Sequence, residues 1–294
     1  MSSLEPVKKP WSPWHKRLHE QFQFYPDLLP EGACLLLSIS GGQDSMALLK
    51  LMMDLKRIYK WKIVVWHGDH GWHQKSEQYA KELKAWCHSK NLIFYCHTTT
   101  KLDTKNESEA REWRYNCLIR TAQELSNKQP KQRWKFILTG HTATDRAETV
   151  ILNLSRGSDL AGLSSLQECR NLNSEQLLIR PFLCFSRSDT AQICKDFKLP
   201  IWLDPSNENK DITRNKIRLE ILPILEEMYP GSILRISDLS KRISHQRKEK
   251  DELINIAIDY IKLQNGLCRK KLKELEVSTR RSLLASWLKG KGIK

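Results

Sequence analysis

The sequence predicts an α/β fold, a Rossmann-like parallel sheet with helices on both faces, joined to a smaller C-terminal helical domain. Three observations carry this. Short apolar runs alternate with helical spacings from residue 33 to about residue 197, the pattern of repeated βαβ units. After Pro205 no strand run is read, and Ile/Leu spacing becomes helical. Charge changes with it: residues 241–294 hold 15 Lys/Arg against 6 Asp/Glu, so this stretch carries 15 − 6 = +9 of the chain's +15.

The elements follow in order. Ala33–Ser40 is a compact apolar strand ending in a glycine pair. Asp44–Tyr59 then places Met46, Leu48, Leu49, Met52 and Leu55 at helical spacing. Lys62–His67, with Ile63, Val64, Val65 and Trp66, reads as a second buried strand, followed by a polar helix at Ser76–Ser89. Leu92–His97 is the third strand and Asn106–Leu125 a long helix. Phe136–Thr139 and Ala143–Leu154 form the fourth strand and its helix; Leu177–Leu183 and Asp189–Phe197 form the fifth pair. Residues 211–228, 233–263 and Leu272–Leu288 are read as helices. The expected division is an α/β domain over 1–222 and a basic helical domain over 223–294.

Composition sets limits. The chain has 294 residues, 40% hydrophobic and 28% charged, an ordinary globular balance that argues against disordered or repetitive classes. Its apolar runs fall far short of the roughly 18 residues that span a bilayer, and Met1–Trp11 lacks the apolar core of a secretion signal. A cytoplasmic protein is expected. Eight cysteines are scattered with no C-x-x-C pair, so they are read as buried thiols in a reducing compartment. His67 and His70 have no third His or Cys at ligand spacing, so no zinc site is signalled. Of the ten tryptophans, positions such as Trp66 and Trp86 fit a core. A cationic bias at one end of a chain points to a polyanionic partner, nucleic acid before membrane, or to a solvated helical face.

Chemistry is expected first at Ser40-Gly41-Gly42-Gln43-Asp44-Ser45, between the first strand and its helix. Ligands of open α/β sheets bind at the carboxyl ends of strands. The glycines let successive N–H groups turn inward, and the helix presents its positive end to the same point. With the serine hydroxyls this makes a pyrophosphate cradle, and Asp44 can hold a magnesium ion. The kinase and GTPase loop G-x-x-x-x-G-K-[ST] occurs nowhere in the chain. On a helix, His141, Asp145 and Glu148 share one face, readable as a cleft-facing set or as a surface charge cluster. Glu107, Arg111 and Arg114 also share a face, either as an ion-paired stripe or as guanidiniums gripping phosphate and base. Arg214 and Arg218, four apart, carry the same two readings, and the Asp204-Pro205-Ser206-Asn207 turn beside them reads as a helix cap or as part of the site.

The Ser40–Ser45 string resembles the loop of the PP-loop family, the N-type ATP pyrophosphatases. That resemblance implies cleavage of ATP between its α and β phosphates and use of the adenylate to activate a carbonyl-type oxygen. Further strings narrow it: His67-Gly68-Asp69-His70-Gly71-Trp72; Asn106 to Arg111 with Arg114-Tyr115; Gly140-His141-Thr142-Ala143-Thr144-Asp145-Arg146-Ala147-Glu148-Thr149; Arg180-Pro181-Phe182-Leu183; Trp202 to Asn207; and Arg214-Asn215-Lys216-Ile217-Arg218. In this order they resemble the tRNA(Ile)-lysidine synthetase branch of the family, in its short form. Two positions depart from the pattern. Thr144 stands where the family has the first Asp of a D-D pair, and Arg146 where it has Gln, so no metal or base role is carried to position 144.

The resemblance implies that free L-lysine replaces the C2 oxygen of the wobble cytidine in a minor isoleucine tRNA with a CAU anticodon. ATP is then co-substrate and Mg2+ the metal, with Asp44 as its expected ligand. Ser40, Gly41, Gly42, Gln43, Asp44 and Ser45 are expected to bind the nucleotide. Asp44, Asp69, Arg111, His141, Asp145 and Glu148 are the catalytic candidates, with Asp69, Asp145 and Glu148 as alternative bases. Arg111, Arg114, Arg214 and Arg218 are the tRNA-binding candidates, and a homodimer is left open. Three rivals remain: a sulfur-inserting PP-loop tRNA enzyme, whose cysteine relay or iron–sulfur cluster needs closely placed thiols; an amidotransferase-linked synthetase; and a non-catalytic tRNA-binding module.

Overall fold

In the computed structural model the described residues are 11–71, 74–99, 107–202, 213–264 and 266–293. The chain opens with helix α1 (Pro13–Phe24), which the sequence reading does not include. It then runs β1 (Cys34–Ser38), α2 (Gln43–Tyr59), β2 (Lys62–Asp69), α3 (Ser76–Ser89), β3 (Ile93–Thr98), α4 (Glu107–Lys128), β4 (Phe136–Thr139) and α5 (Ala143–Ser155). After the short α6 (Leu160–Leu163) come β5 (Cys169–Asn171), β6 (Leu177–Ile179) and α7 (Arg187–Asp196).

The sheet order is β3-β2-β1-β4-β6-β5. All neighbours pair in parallel except β5, an antiparallel edge strand on β6. Period-two alternation along the strands makes two cores. Leu35, Leu37, Ile63, Val65 and Leu138 face Met46, Leu49 and Met52 of α2. Cys34, Leu36, Val64, Trp66 and Ile137 face Leu118, Ala122 and Leu125 of α4. Two expectations are corrected here. The fifth parallel strand ends at Ile179 instead of Leu183, because Pro181 has no N–H for a ladder and starts a 3-10 turn over Pro181–Cys184. Cys96, on edge strand β3, is exposed, while Cys34, Cys87, Cys117 and Cys194 are buried as expected.

Beyond residue 212, α8 (Thr213–Lys216) runs through a π turn (Ile217–Ile221) into α9 (Leu222–Met228). Pro223 explains the widened turn, since it offers no N–H to the Leu219 carbonyl four residues earlier. Helix α10 (Ser232–Ile261) is 30 residues long. Its buried Ser237, Ser240 and Ser244 allow close approach to α5 and α6, and Ser240 Oγ donates to the Leu163 carbonyl at 2.7 Å. Ile217, Leu222, Ile233 and Ile236 pack with Ala147 of α5. A separate small core joins Ile258 and Ile261 to Leu272 and Leu283.

That second core also departs from the sequence reading. The single helix expected over Leu272–Leu288 is two, α11 (Arg269–Lys273) and α12 (Val277–Gly290), and the turn between them lets both leucines reach α10. A two-stranded hairpin, β7 (Lys262–Leu263) with β8 (Gly266–Leu267), stands where no strand is expected.

Candidate active site

Strand order reverses between β1 and β4, the switch point where open α/β sheets leave a crevice. Ser38 pairs with Thr139 at this edge, so the loops following both strands emerge side by side. The 40–45 loop braces itself. Ser45 Oγ donates to the Gly42 carbonyl at 2.8 Å and accepts the Gly41 N–H at 3.2 Å, while Ser40 Oγ accepts the Gly42 N–H at 3.3 Å. Two glycines are required sterically. Gly41 has φ +87° and a Cβ there would lie 3.2 Å from the Trp202 ring, which caps the loop. A Cβ on Gly140 would sit 3.1 Å from the Asp44 backbone. Trp202 is itself fixed, its backbone N–H to the Gly41 carbonyl at 3.0 Å and its indole N–H to Glu82 at 2.6 Å.

Two side chains of the expected nucleotide loop, Gln43 and Asp44, are turned toward α7. Gln43 Nε2 donates to the Arg187 carbonyl at 2.7 Å and to Thr190 Oγ1 at 2.8 Å, so Gln43 pins α2 to α7. Asp44 Oδ1 accepts a 2.5 Å bond from Thr190 Oγ1, and Oδ2 faces Arg187 Nη1 at 3.4 Å. Burial, with nearby Asp145, pushes the Asp44 carboxyl up to about 6 against the pull of Arg187, Thr190 and Arg218. Asp44 and Asp145 are thus close enough to repel each other, which suits a divalent cation. Magnesium is held by one or two carboxylates with phosphate oxygens completing its shell, and this donor set fits that pattern. Among the described residues no group of three or more His, Cys, Asp or Glu is placed to hold a metal by itself.

Asp145 and Glu148 share the α5 face as expected, but His141 does not. Thr142 is the helix N-cap, so His141 precedes the helix and reaches the site from the β4–α5 loop, hydrogen-bonded to Thr139 Oγ1 at 2.8 Å. Asp145 is the acidic half of a capping box, its Oδ2 accepting from the Thr142 N–H at 2.7 Å and the Thr142 hydroxyl at 2.9 Å. Burial holds His141 down at about 3, with Arg180, Arg111 and Arg214 acting in the same direction and Asp145 against it, so the ring is neutral at pH 7. Burial works to raise Asp145, but Arg214, the Thr142 N–H and Arg218 hold it down, so it is ionised beside the neutral His141 ring.

Glu148 is 0% exposed and both oxygens are taken. Arg218 grips it in a fork, Nε to Oε1 at 2.5 Å and Nη2 to Oε2 at 2.9 Å, while Arg214 Nε reaches Oε2 at 2.7 Å. Both arginines also face Asp145 Oδ1, at 3.3 and 3.6 Å. The two readings of Arg214 and Arg218 meet here as an ion-paired set in the cleft. Arg111 lies over the Tyr115 ring at 5.1 Å. A second group gathers at the end of β2: His67 Nδ1 donates to the Ile39 carbonyl at 2.8 Å, the Gly71 N–H donates to Asp69 at 2.9 Å, and Arg114 donates to His70 at 3.3 Å. Trp72, Asn106 and Asp204 to Asn207 lie outside the described residues, as does the Glu107 side chain.

The two departures have structural roles. Thr144 Oγ1 accepts the Arg187 N–H at 2.9 Å, satisfying an orphan donor at the start of α7. Arg146 points away from the cleft to the Leu166 carbonyl at 2.8 Å and Glu168 at 3.0 Å. Sequence reasoning missed Arg187, Thr190 and Arg180. The Ser186 N-cap with Asp189 at N3 signals the start of α7 but says nothing of its neighbours. Arg180 is buried beside Tyr115, and burial lowers its guanidinium to about 10 with Arg170 and Arg111 adding and Tyr115 opposing.

A family described as a PP-loop domain matches residues 15–225. A tRNA(Ile)-lysidine synthase of Prochlorococcus marinus is 50% identical over 288 residues, covering 98% of this chain and 86% of its own length. That of Parasynechococcus marenigrum is 44% identical over 297 residues, covering 100% and 86%. Among solved structures, a U34-tRNA thiolase from Methanococcus maripaludis superposes with a TM-score of 0.61 at 16% identity, covering 79% of this chain and 78% of that one, a likeness of fold alone.

Proposed function

Because this chain belongs to the tRNA(Ile)-lysidine synthases, ATP-dependent PP-loop enzymes that act on tRNA(Ile), we propose that the β1/β4 crevice adenylates the C2 oxygen of a wobble cytidine and then admits free L-lysine. The observation that carries this reading is the meeting of the 40–45 loop with Asp44, Asp145 and an arginine group at one strand-order reversal. C2 oxygen is a poor leaving group, so it is joined to AMP first, and the departing pyrophosphate settles on the N–H groups of the loop and the positive end of α2. When bound, Mg2+ neutralises charge on the phosphate oxygens, with Asp44 and Asp145 as its protein ligands. Lysine's ε-amine then attacks C2 and AMP leaves.

An amine with pKa about 10.4 is almost wholly protonated at pH 7, and freeing its lone pair costs about 4–5 kcal/mol. Of the three alternative bases, Glu148 has both oxygens held by arginine and Asp145 faces two guanidiniums. Asp69 is 5% exposed and makes no ion pair among the described residues. A buried carboxylate with no ion pair among the described residues suits an incoming ammonium and its proton, and Asp69 takes that role in this reading. Asp69→Asn is expected to raise the KM for lysine about 10- to 100-fold, the loss of one charged hydrogen bond, with ATP–pyrophosphate exchange within twofold of wild type. Equal loss of exchange would return Asp69 to the adenylation step. The reading as a whole is tested by incubating the protein with minor isoleucine tRNA transcript, ATP and labelled lysine; a sulfur-inserting enzyme or a binding module transfers no lysine.

The helical region after residue 222 serves as the tRNA-contacting part in this reading, in the cytoplasm. Removing residues 241–294 would sever α10 in mid-length, so charge replacement is the cleaner test. Arg269, Lys270 and Lys273 are exposed on α11. Replacing all three with Gln is expected to flatten the salt dependence of tRNA binding by about 0.9 in log–log slope for each phosphate no longer neutralised, up to about 2.7. An unchanged slope removes α11 from the interface.

A further inference from the structure

We infer that Arg187, at the first turn of α7 beside Asp44, is a pyrophosphate-binding residue. The inference rests on the placement of the ATP triphosphate over the 40–45 loop. The main chain of Arg187 is fixed from two sides: its N–H to Thr144 Oγ1 at 2.9 Å, and its carbonyl to Gln43 Nε2 at 2.7 Å. These bonds tie the start of α7 to the starts of α2 and α5, the two helices whose N-termini flank the crevice. The side chain is the part left adjustable, with 36% exposure.

Its one carboxylate partner among the described residues is distant. Arg187 Nη1 stands 3.4 Å from Asp44 Oδ2, against the 2.7–2.9 Å typical of charge-assisted bonds. Asp44 does not depend on it for position, because the buried Thr190 hydroxyl holds Oδ1 at 2.5 Å. Arg214 and Arg218 differ in kind, being bonded at 2.5–2.9 Å to a fully buried carboxylate. Arg187 is therefore the guanidinium beside the loop that can change partner at least cost. A cation held at Asp44 would repel it, and a guanidinium fork matches two oxygens of a phosphate chain. The residue then stabilises negative charge on the pyrophosphate as the bond to the α-phosphate breaks.

The probes are inorganic pyrophosphate, ATP and AMP, titrated calorimetrically into the full chain with Mg2+ and, separately, with EDTA. In Arg187→Ala, pyrophosphate and ATP affinity are expected to fall at least 10-fold while AMP, which lacks the β and γ phosphates, stays within twofold. Arg187→Lys should recover part of the loss. Loss of AMP binding in parallel would make Arg187 a structural residue, and unchanged pyrophosphate affinity would remove it from the site. Gly41→Val separates the two levels. If wild type fails to bind pyrophosphate, or Gly41→Val binds it as well as wild type, the loop assignment fails; if Gly41→Val abolishes binding that Arg187→Ala leaves intact, the Arg187 inference alone fails.

Discussion

Asp44→Ala and Asp44→Asn are expected to lower ATP–pyrophosphate exchange by about 10²–10³-fold or more, the range for losing one preorganised electrostatic interaction with a transferring group, while the tRNA Kd stays within about twofold. Asp44 lies at the first turn of α2 between Thr190 and Arg187, away from α10 and the charged region beyond it. The Asn variant separates function from folding. The Asp44 carboxyl titrates near 6 in the fold, above its value in an unfolded chain, so the folded state binds the extra proton between about pH 4 and 6. Its contribution to stability is full below pH 4 and lost as pH rises through 6; at pH 7 the buried charge costs on the order of 2–3 kcal/mol. In EDTA, Asp44→Asn should thus be as stable as wild type or more so at pH 7, and the advantage should vanish near pH 4. Undiminished exchange in either variant would refute the loop as the adenylation site.

Glu148→Ala is expected to destabilise the protein by about 3–5 kcal/mol, the cost of removing one partner from a buried ion-paired set. Glu148 is fully buried, and its loss leaves Asp145 as the carboxylate ion-paired with Arg214 and Arg218 among the described residues. Urea unfolding should show a lowered midpoint with little change in slope. Glu148→Gln, which keeps the shape and one acceptor, should lose less. A loss below about 1 kcal/mol would show that the two arginines find other partners and that Glu148 does not anchor the α8–α9 segment to α5.

The sheet was legible because its signals are local. The unbroken apolar run through Leu35, Leu36 and Leu37 reads as a strand whatever lies beyond it, and Met46 to Leu55 carry their helical spacing within 10 residues. The Ser40–Ser45 loop was equally legible, since its glycines and serines satisfy one another within six residues. His141 was misplaced for a local reason too: Thr142 captures the helix start by capping Asp145, so the helical spacing begins one residue too late to include it. The break between α11 and α12 left no comparable mark, because it is set by where Ile258 and Ile261 lie on another helix.

By itself the sequence determined the main alternation of strands and helices through α7, the serine–glycine bend after β1 and the basic C-terminal region, all properties of neighbours along the chain. Only the tertiary structure decided which charges meet. Arg187 and Thr190 reach Asp44 across 143 and 146 residues, and Arg214 and Arg218 reach Glu148 across 66 and 70. Ion pairs and hydrogen bonds depend on distance and direction at the ångström scale, and those are fixed by how α5, α7 and α8 pack at the end of the sheet, which no spacing along the sequence encodes.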